Sequence, residues 1–362
     1  MKKRTAIISG LTGAAVVLGA IFYATTYQLP NHVPATGRLA SGNVMILETS
    51  GTPEEYKLYD LRGKVYNGVE DCASYAIIMA DVELSRSHGI KVGQSPKTGC
   101  KPHHVIVINS SVRRSVTENN PPANFNQWGS CIKIELGASD IVIRNNIIED
   151  CYGEGIDTAE AARVEVIGNT LKNCWSYCIY IDNSTDVLVQ GNTASCPDSS
   201  FNRNGAPAVS FGVGDENLSK WGGGGVSIAA RITITENTSY KCQAPKYWGS
   251  QYSNGGVDTL AITNNTIYDT STRVSVVNKP RNANIITTGN VYLSSGATSI
   301  PATASRTSTP VSATPTALLS KTPTVTKAAT FTATAIPSAT ATPPACITIF
   351  DDGLYIFQAC KK

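Results

Sequence analysis

VIRNNIIEDC at residues 142–151, VIGNTLKNC at 166–174 and VQGNTASC at 189–196 are three versions of one phrase. It returns as ITENTSYKC (234–242), ITNNTIYDT (262–270) and TTGNVYL (287–293). The shared asparagine falls at Asn146, Asn169, Asn192, Asn237, Asn265 and Asn290, giving intervals of 23, 23, 45, 28 and 25 residues. A period in the low twenties marks a solenoid. The interval of 45 is close to two periods, so one rung there is expected to lack the phrase or to be replaced by a loop.

Leucine-rich repeats share this period but need a fixed Leu framework and an alternating helix. Here short Val/Ile strands alternate with Asn/Gly turns, which predicts an all-β chain coiled into a single-stranded parallel β-helix. Its rungs would pair in register about 4.8 Å apart. The repeated asparagine would then stack on itself as a hydrogen-bonded ladder and supply the left-handed backbone of the turn. YAIIMADVELSRSHGIKVG (75–93) and HHVIVINSSV (103–112) alternate in the same way without the phrase and read as irregular first rungs. Residues 28 to about 56 are expected to cap the open edge of the first rung.

CIYIDNSTDVLVQGNT (178–193) and GEGIDTAEAARVEVIGNT (153–170) carry a family resemblance. Over residues from about 70 to 295 the chain resembles the right-handed parallel β-helix repeat family of the pectin-lyase-like superfamily. That superfamily spans polysaccharide lyases, glycoside hydrolases, epimerases, phage tailspikes and proteins without chemistry, so the resemblance implies a carbohydrate-related surface role rather than one reaction. The paired Asp with Gly-His-Gly of polygalacturonase-like hydrolases and the Asp-Pro-His-Asp of alginate epimerases are missing from this sequence.

Aligning rungs on the asparagine stacks Ile132, Ile156 and Ile179, which should face inward. Strand alternation then places Lys133, Asp157 and Tyr180 in one outward column and Glu135, Ala159 and Asp182 in the next. Lys133 or Tyr180 would move a proton on a bound sugar chain, while Asp157 and Asp182 would bind a cation such as Ca²⁺ or form a hydrolase carboxylate pair. Glu135 and Glu154 would contact substrate, and Glu154 with Glu160 could add to cation binding. The competing reading is a solvated face whose charges merely pair across strands. The stretch 197–225 breaks the period, and its Trp221 suits stacking on a sugar ring. Tyr247, Trp248 and Tyr252 would line the same groove.

Cys151, Cys174, Cys196 and Cys242 follow their asparagines by four or five residues and should form one column. An inward row of small apolar side chains is expected first, rung-to-rung disulfides second and a metal site last. The adjacent His103 and His104 would face opposite ways. Asn237 heads an Asn-x-Ser/Thr sequon yet belongs to the ladder, so it should be buried and unglycosylated.

The flanks have another character. Lys2-Lys3-Arg4 followed by an apolar stretch from Thr5 to Ala24 reads as a signal peptide or membrane anchor over 1–27. The β-helix domain with its cap would occupy 28–300, and a Thr/Pro-rich stalk 301–345. A short hairpin, 346–362, would be closed by a Cys346–Cys360 disulfide around Asp351-Asp352-Gly353. Such a chain would be extracellular or held at the cell surface. A formal charge of only +3, with 30 scattered basic residues, argues against a nucleic-acid partner.

Overall fold

The computed structural model describes residues 28–93, 100–119, 129–215, 229–249, 257–279 and 283–294. The N-terminal segment 1–27, Trp221, Tyr252, the stalk and the hairpin with Cys346 and Cys360 lie outside the described residues. No helix among the described residues is long and apolar enough to cross a membrane.

Each rung consists of three short strands. One strand, such as Ser130–Ile134, Glu154–Ala159 or Tyr177–Asp182, joins a 10-stranded sheet on one side of the coil. The next two, such as Ser139–Arg144 and Ile147–Cys151, meet at the asparagine corner and build a 17-stranded sheet. Successive rungs pair in parallel throughout the repeat, as in Ile141↔Val164, Val164↔Val187 and Val187↔Ile232. Parallel crossovers of this kind are right-handed. At the first edge, His32–Pro34 pairs with the strand Tyr56–Tyr66, and Arg38–Leu39 folds antiparallel onto Val44–Leu47.

The interior is filled by β-branched columns. Ile143, Val166, Val189, Ile234 and Ile262 stack one above another with no exposed surface, which suits a strand buried on its inner face. Among them runs the asparagine ladder. The Oδ1 of Asn169 accepts both the backbone N–H (3.0 Å) and the Nδ2–H (2.9 Å) of Asn146. The same double acceptance joins Asn169 to Asn192, Asn192 to Asn237, Asn237 to Asn265 and Asn265 to Asn290. Each Nδ2 also donates to a backbone carbonyl of the rung before, such as Ile143 O for Asn169 at 2.9 Å. The ladder is thus fully paired although its members from Asn146 to Asn265 are at most 1% exposed, and burying so many amides would otherwise be prohibitive. Ser110 extends it upstream, donating its N–H to Asn146 Oδ1 and accepting from Ala80 N–H on its hydroxyl.

Several expectations are corrected. The 45-residue interval is a single turn, because Asn192 bonds directly to Asn237. Its extra length lies outside the ladder corner, and residues 209–215 within it form an ordinary rung strand. The left-handed backbone belongs to the residue before each ladder asparagine, namely Asn145, Gly168, Gly191, Glu236, Asn264 and Gly289, with φ from 54° to 72°. The ladder asparagines themselves do not have positive φ. Cys151 and Cys174 are register partners, but the column does not remain a row of thiols: Cys131 bonds to Cys151, and Cys196 to Cys242. A further bridge joins Cys72 to Cys100. His103 and His104 do not diverge. His104 has φ 56°, and this brings the two Nδ1 atoms to 2.9 Å beside Tyr75. Asn237 is buried, as the ladder requires.

Asp215 has no exposed surface, neither of its carboxylate oxygens has a hydrogen-bond partner among the described residues, and burial raises its pKa to about 6. The folded state therefore binds this proton more tightly than the unfolded chain does. Its stabilising contribution is complete below about pH 4 and is lost as the pH rises through 6.

Two stability measurements check these arguments. Asn192→Ala leaves the donors of Asn169 unpaired in the interior and should cost about 2–4 kcal/mol in urea unfolding, against about 1 kcal/mol for the part-buried Asn290→Ala at the ladder's end. Equal losses at the two positions would contradict a ladder whose worth comes from burial. Asp215→Asn should be more stable than the wild type by about 2–3 kcal/mol at pH 8 and indistinguishable from it near pH 4, as read from unfolding midpoints at the two pH values.

Candidate functional site

The outer face of the 10-stranded sheet carries the polar columns. The register is Lys91↔Lys133↔Asp157↔Tyr180↔Gly212↔Lys246 in one column, and Ala159↔Asp182↔Gly214↔Trp248 in its neighbour. Lys133, Asp157, Tyr180 and Asp182 are therefore brought onto one face in the predicted order. Glu135 immediately follows the strand Ser130–Ile134 and forms an ion pair with Lys91 at 3.2 Å.

The face is not a solvated one at its centre. Asp157 is 1% exposed and Glu154 3%. Lys133 Nζ pairs with Asp157 Oδ2, and the Ser130 hydroxyl donates to Glu154 Oε2 at 3.3 Å and to Asp157 Oδ2 at 3.5 Å. Burial drives the Glu154 carboxyl well above its ordinary range, and the negative charge of Asp157 adds to the shift. Burial alone would depress the Lys133 ammonium, but the carboxylates of Asp157, Glu154 and Asp182 outweigh it and raise the group above its usual value. Lys133 is thus a fixed positive charge rather than a base. His88 closes the cluster. Its Nδ1 accepts the Ser130 N–H at 3.2 Å, and burial, reinforced by Lys133 and Lys91, holds the ring well below the ordinary histidine range. Burial also raises Glu135, and Glu160 likewise.

Tyr180 turns away from this acid cluster. Its ring stacks on Tyr177, with centroids 4.4 Å apart and planes at 22°, and lies over the next rung. A Cβ on Gly214 would sit 1.8 Å from the Tyr180 hydroxyl, and one on Gly212 would sit 2.4 Å from the Tyr177 ring. The two glycines are the space that the pair occupies. Trp248 follows Gly214 in its column. Tyr247, expected in the same groove, has no exposed surface and belongs to the core. The face accordingly divides into an acid–lysine cluster over the rungs of Lys133 and Asp157 and an aromatic shelf over those of Tyr180 and Trp248.

The segment just after Cys196 packs beside Tyr152 and Trp175. Phe201, in the 3₁₀ turn Ser199–Phe201, is buried and stacks on Tyr152 at 5.0 Å, and Arg203 lies 4.8 Å above the Trp175 ring.

Sequence reasoning missed a second feature, on the outer face of the 17-stranded sheet. A groove of about 690 Å³ is floored by Ile106, Val142 and Leu188 and bordered by a column of alternating charge. In that column Asp140 takes a bidentate pair from Arg163 (2.6 and 2.7 Å), and Asp186 takes one from Arg231 (2.5 and 2.7 Å). The Arg163 hydrogen bonds hold Asp140 down at about 2. Asp140, Arg163 and Asp186 recur at the ladder's own interval of 23 residues, a signal that was available in the sequence. All three have positive φ, which alternation arguments do not anticipate.

Residues 103–194 match the family model described as a right handed beta helix region. Among curated proteins none matches. Among solved structures, the chain is similar to an alginate lyase from Paenibacillus sp. str. FPU-7, at 15% identity and a TM-score of 0.48 over 75% of this chain and 93% of that one. It is similar to a tailspike protein of bacteriophage CBA120, at 10% identity and a TM-score of 0.44 over 70% and 39% of the respective chains. The surface protein and adhesin PfbA of Streptococcus pneumoniae aligns at 12% identity and a TM-score of 0.38 over 78% and 94%. The asparagine ladder and the parallel registers of both sheets give the described residues the fold of a right-handed parallel β-helix, and the matched region 103–194 lies within it.

Proposed function

We propose that the chain is an extracellular protein that binds an acidic polysaccharide across the outer face of the 10-stranded sheet and cleaves it there. The observation that carries this reading is the buried Glu154–Asp157 acid pair beside the Tyr177–Tyr180 shelf. Burial drives the Glu154 carboxyl well above its ordinary range and suits it to act as the acid on a glycosidic oxygen, with Asp157, paired with Lys133, beside it. The part-exposed Tyr177 and Trp248 suit the apolar faces of sugar rings, and the part-exposed Lys246 suits a uronate carboxylate. Because Lys133 is held protonated and Tyr180 leans over Gly214, hydrolysis is favoured here over proton abstraction by either residue. A Ca²⁺ ion on these carboxylates would have to compete with the ammonium groups that Asp157 and Glu135 already face.

The three disulfides among the described residues support placing the domain outside the cytosol. Attachment to the membrane through residues 1–27 is part of the same proposal and rests on that segment's composition.

A second reading, a non-catalytic adhesin or envelope component, draws on the burial and mutual pairing of Glu154, Asp157 and Lys133. The full chain incubated with a panel of uronate polysaccharides separates the two. Hydrolysis yields new reducing ends, a lyase reaction yields unsaturated ends, and binding without either product supports the adhesin.

Glu154→Gln and Asp157→Asn should each lower reducing-end formation by about 100-fold or more while leaving polysaccharide binding within a few-fold of the wild type. Full activity in Glu154→Gln would rule out the acid assigned here. Lys133→Ala leaves the Asp157 charge buried and uncompensated, so it should destabilise the fold by about 3–5 kcal/mol, measured by denaturant unfolding.

A further inference from the structure

Beneath the aromatic shelf the interior holds a cluster of sulfur atoms that the proposed function does not use. Cys174 and Cys178 are buried free thiols, while Cys196 and Cys242 are bonded to each other across two rungs. Cys178 Sγ lies 3.8 Å from Cys196 Sγ, and the sulfurs of Cys178, Cys196 and Cys242 all lie within 4.8 Å of one another.

The repeat shows what this proximity means. Ile132, Ile156 and Ile179 are register partners, so Cys131 and Cys178, each one residue earlier, hold the same position two rungs apart. Cys131 closes onto Cys151, 20 residues further along its own rung. Cys178 likewise meets a cysteine of its own rung, Cys196, 18 residues further along and already in contact. Cys196 therefore has two partners with a place in the fold: Cys242 on the following rung, and Cys178 on its own.

We propose that Cys178, Cys196 and Cys242 form an internal thiol–disulfide exchange site in which Cys196 changes partner. The Cys178 sulfur attacks Cys196 Sγ, the Cys196–Cys242 bond breaks as the Cys178–Cys196 bond forms, and Cys242 leaves as the thiol. The proton lost by Cys178 is regained at Cys242, so no external oxidant or reductant is consumed. The exchange changes what the crosslink constrains. In one form it closes a 46-residue loop that contains the strand Val209–Asp215, whose Gly212 and Gly214 lie under the tyrosine pair. In the other it ties only Cys196 to its own rung and leaves the enlarged turn held by hydrogen bonds and packing. The sulfurs are shielded from solvent, so exchange proceeds through local opening of this rung.

The test is disulfide mapping of the oxidised full chain. The protein is held at pH 8 with a trace of reduced glutathione as thiol catalyst, quenched and alkylated in acid, and digested with pepsin. Peptides joining Cys178 to Cys196 should accumulate alongside those joining Cys196 to Cys242, reaching about a tenth or more of total Cys196. Their absence, or a Cys174–Cys178 link in their place, overturns the proposal. In Cys242→Ser, refolded with oxidised glutathione, Cys196 should be bonded to Cys178 and only Cys174 of the cluster should be alkylated. Recovery of alkylated Cys196 from that variant also overturns it. If the variant does not fold, the wild-type map decides alone. Neither readout depends on polysaccharide turnover.

Discussion

The structure depends on one repeated hydrogen-bonded contact: the side-chain amide of one asparagine accepting from the backbone and side chain of the asparagine a rung away. In a solenoid no rung can bury its apolar face alone, so everything rests on consecutive rungs keeping the same phase. A slip of one residue would turn every inward apolar side chain outward and also leave every amide of the ladder unpaired in a dry interior. The ladder thus converts the polar cost of a tight corner into a register lock. It also explains how the Asn192–Asn237 turn can absorb 45 residues without disturbing its neighbours, since the lock lies at the corner and the additions lie elsewhere.

That lock is what makes the outer columns of the 10-stranded sheet meaningful. Lys133, Asp157 and Tyr180 are neighbours only because their rungs are in phase, and the cluster draws its chemical character from that enforced proximity. Two carboxyl groups, Glu154 and Asp157, share one serine hydroxyl in a place where neither is hydrated. Lys133 pairs with Asp157, and burial drives the Glu154 carboxyl well above its ordinary range. The shift is a product of position rather than of residue type, as it is for any pair of like groups held together at low dielectric.

The opposite face manages charge differently. Asp140–Arg163 and Asp186–Arg231 lie in the open, alternate in sign along one column and satisfy each other bidentately. Exposed pairs of this kind contribute little stability individually. Their alternation nonetheless prevents like charges from stacking at rung spacing, which a parallel in-register column would otherwise impose. The interior sulfurs obey the same rule of stacking: because equivalent positions recur every rung, a cysteine finds candidate partners both along its own turn and on the next one.

The sequence by itself determined the architecture, the stacking of the ladder asparagines and the column from Lys133 to Tyr180, because a period of 23 residues and a recurring buried amide leave few other ways to pair the backbone. It also determined that Asn237 must be buried despite its sequon. Tertiary structure alone decided which sulfur bonds to which, that Tyr180 leans over Gly214 instead of toward Asp157, that Tyr247 turns inward, and that His103 and His104 share a side. Those outcomes depend on the φ of single residues such as His104 and on the empty space left by particular glycines a rung away, and neither is written in the alternation of apolar and polar side chains. The upward shift of the Glu154 carboxyl was likewise invisible, since it follows from how deeply that group is buried and from the Asp157 charge beside it.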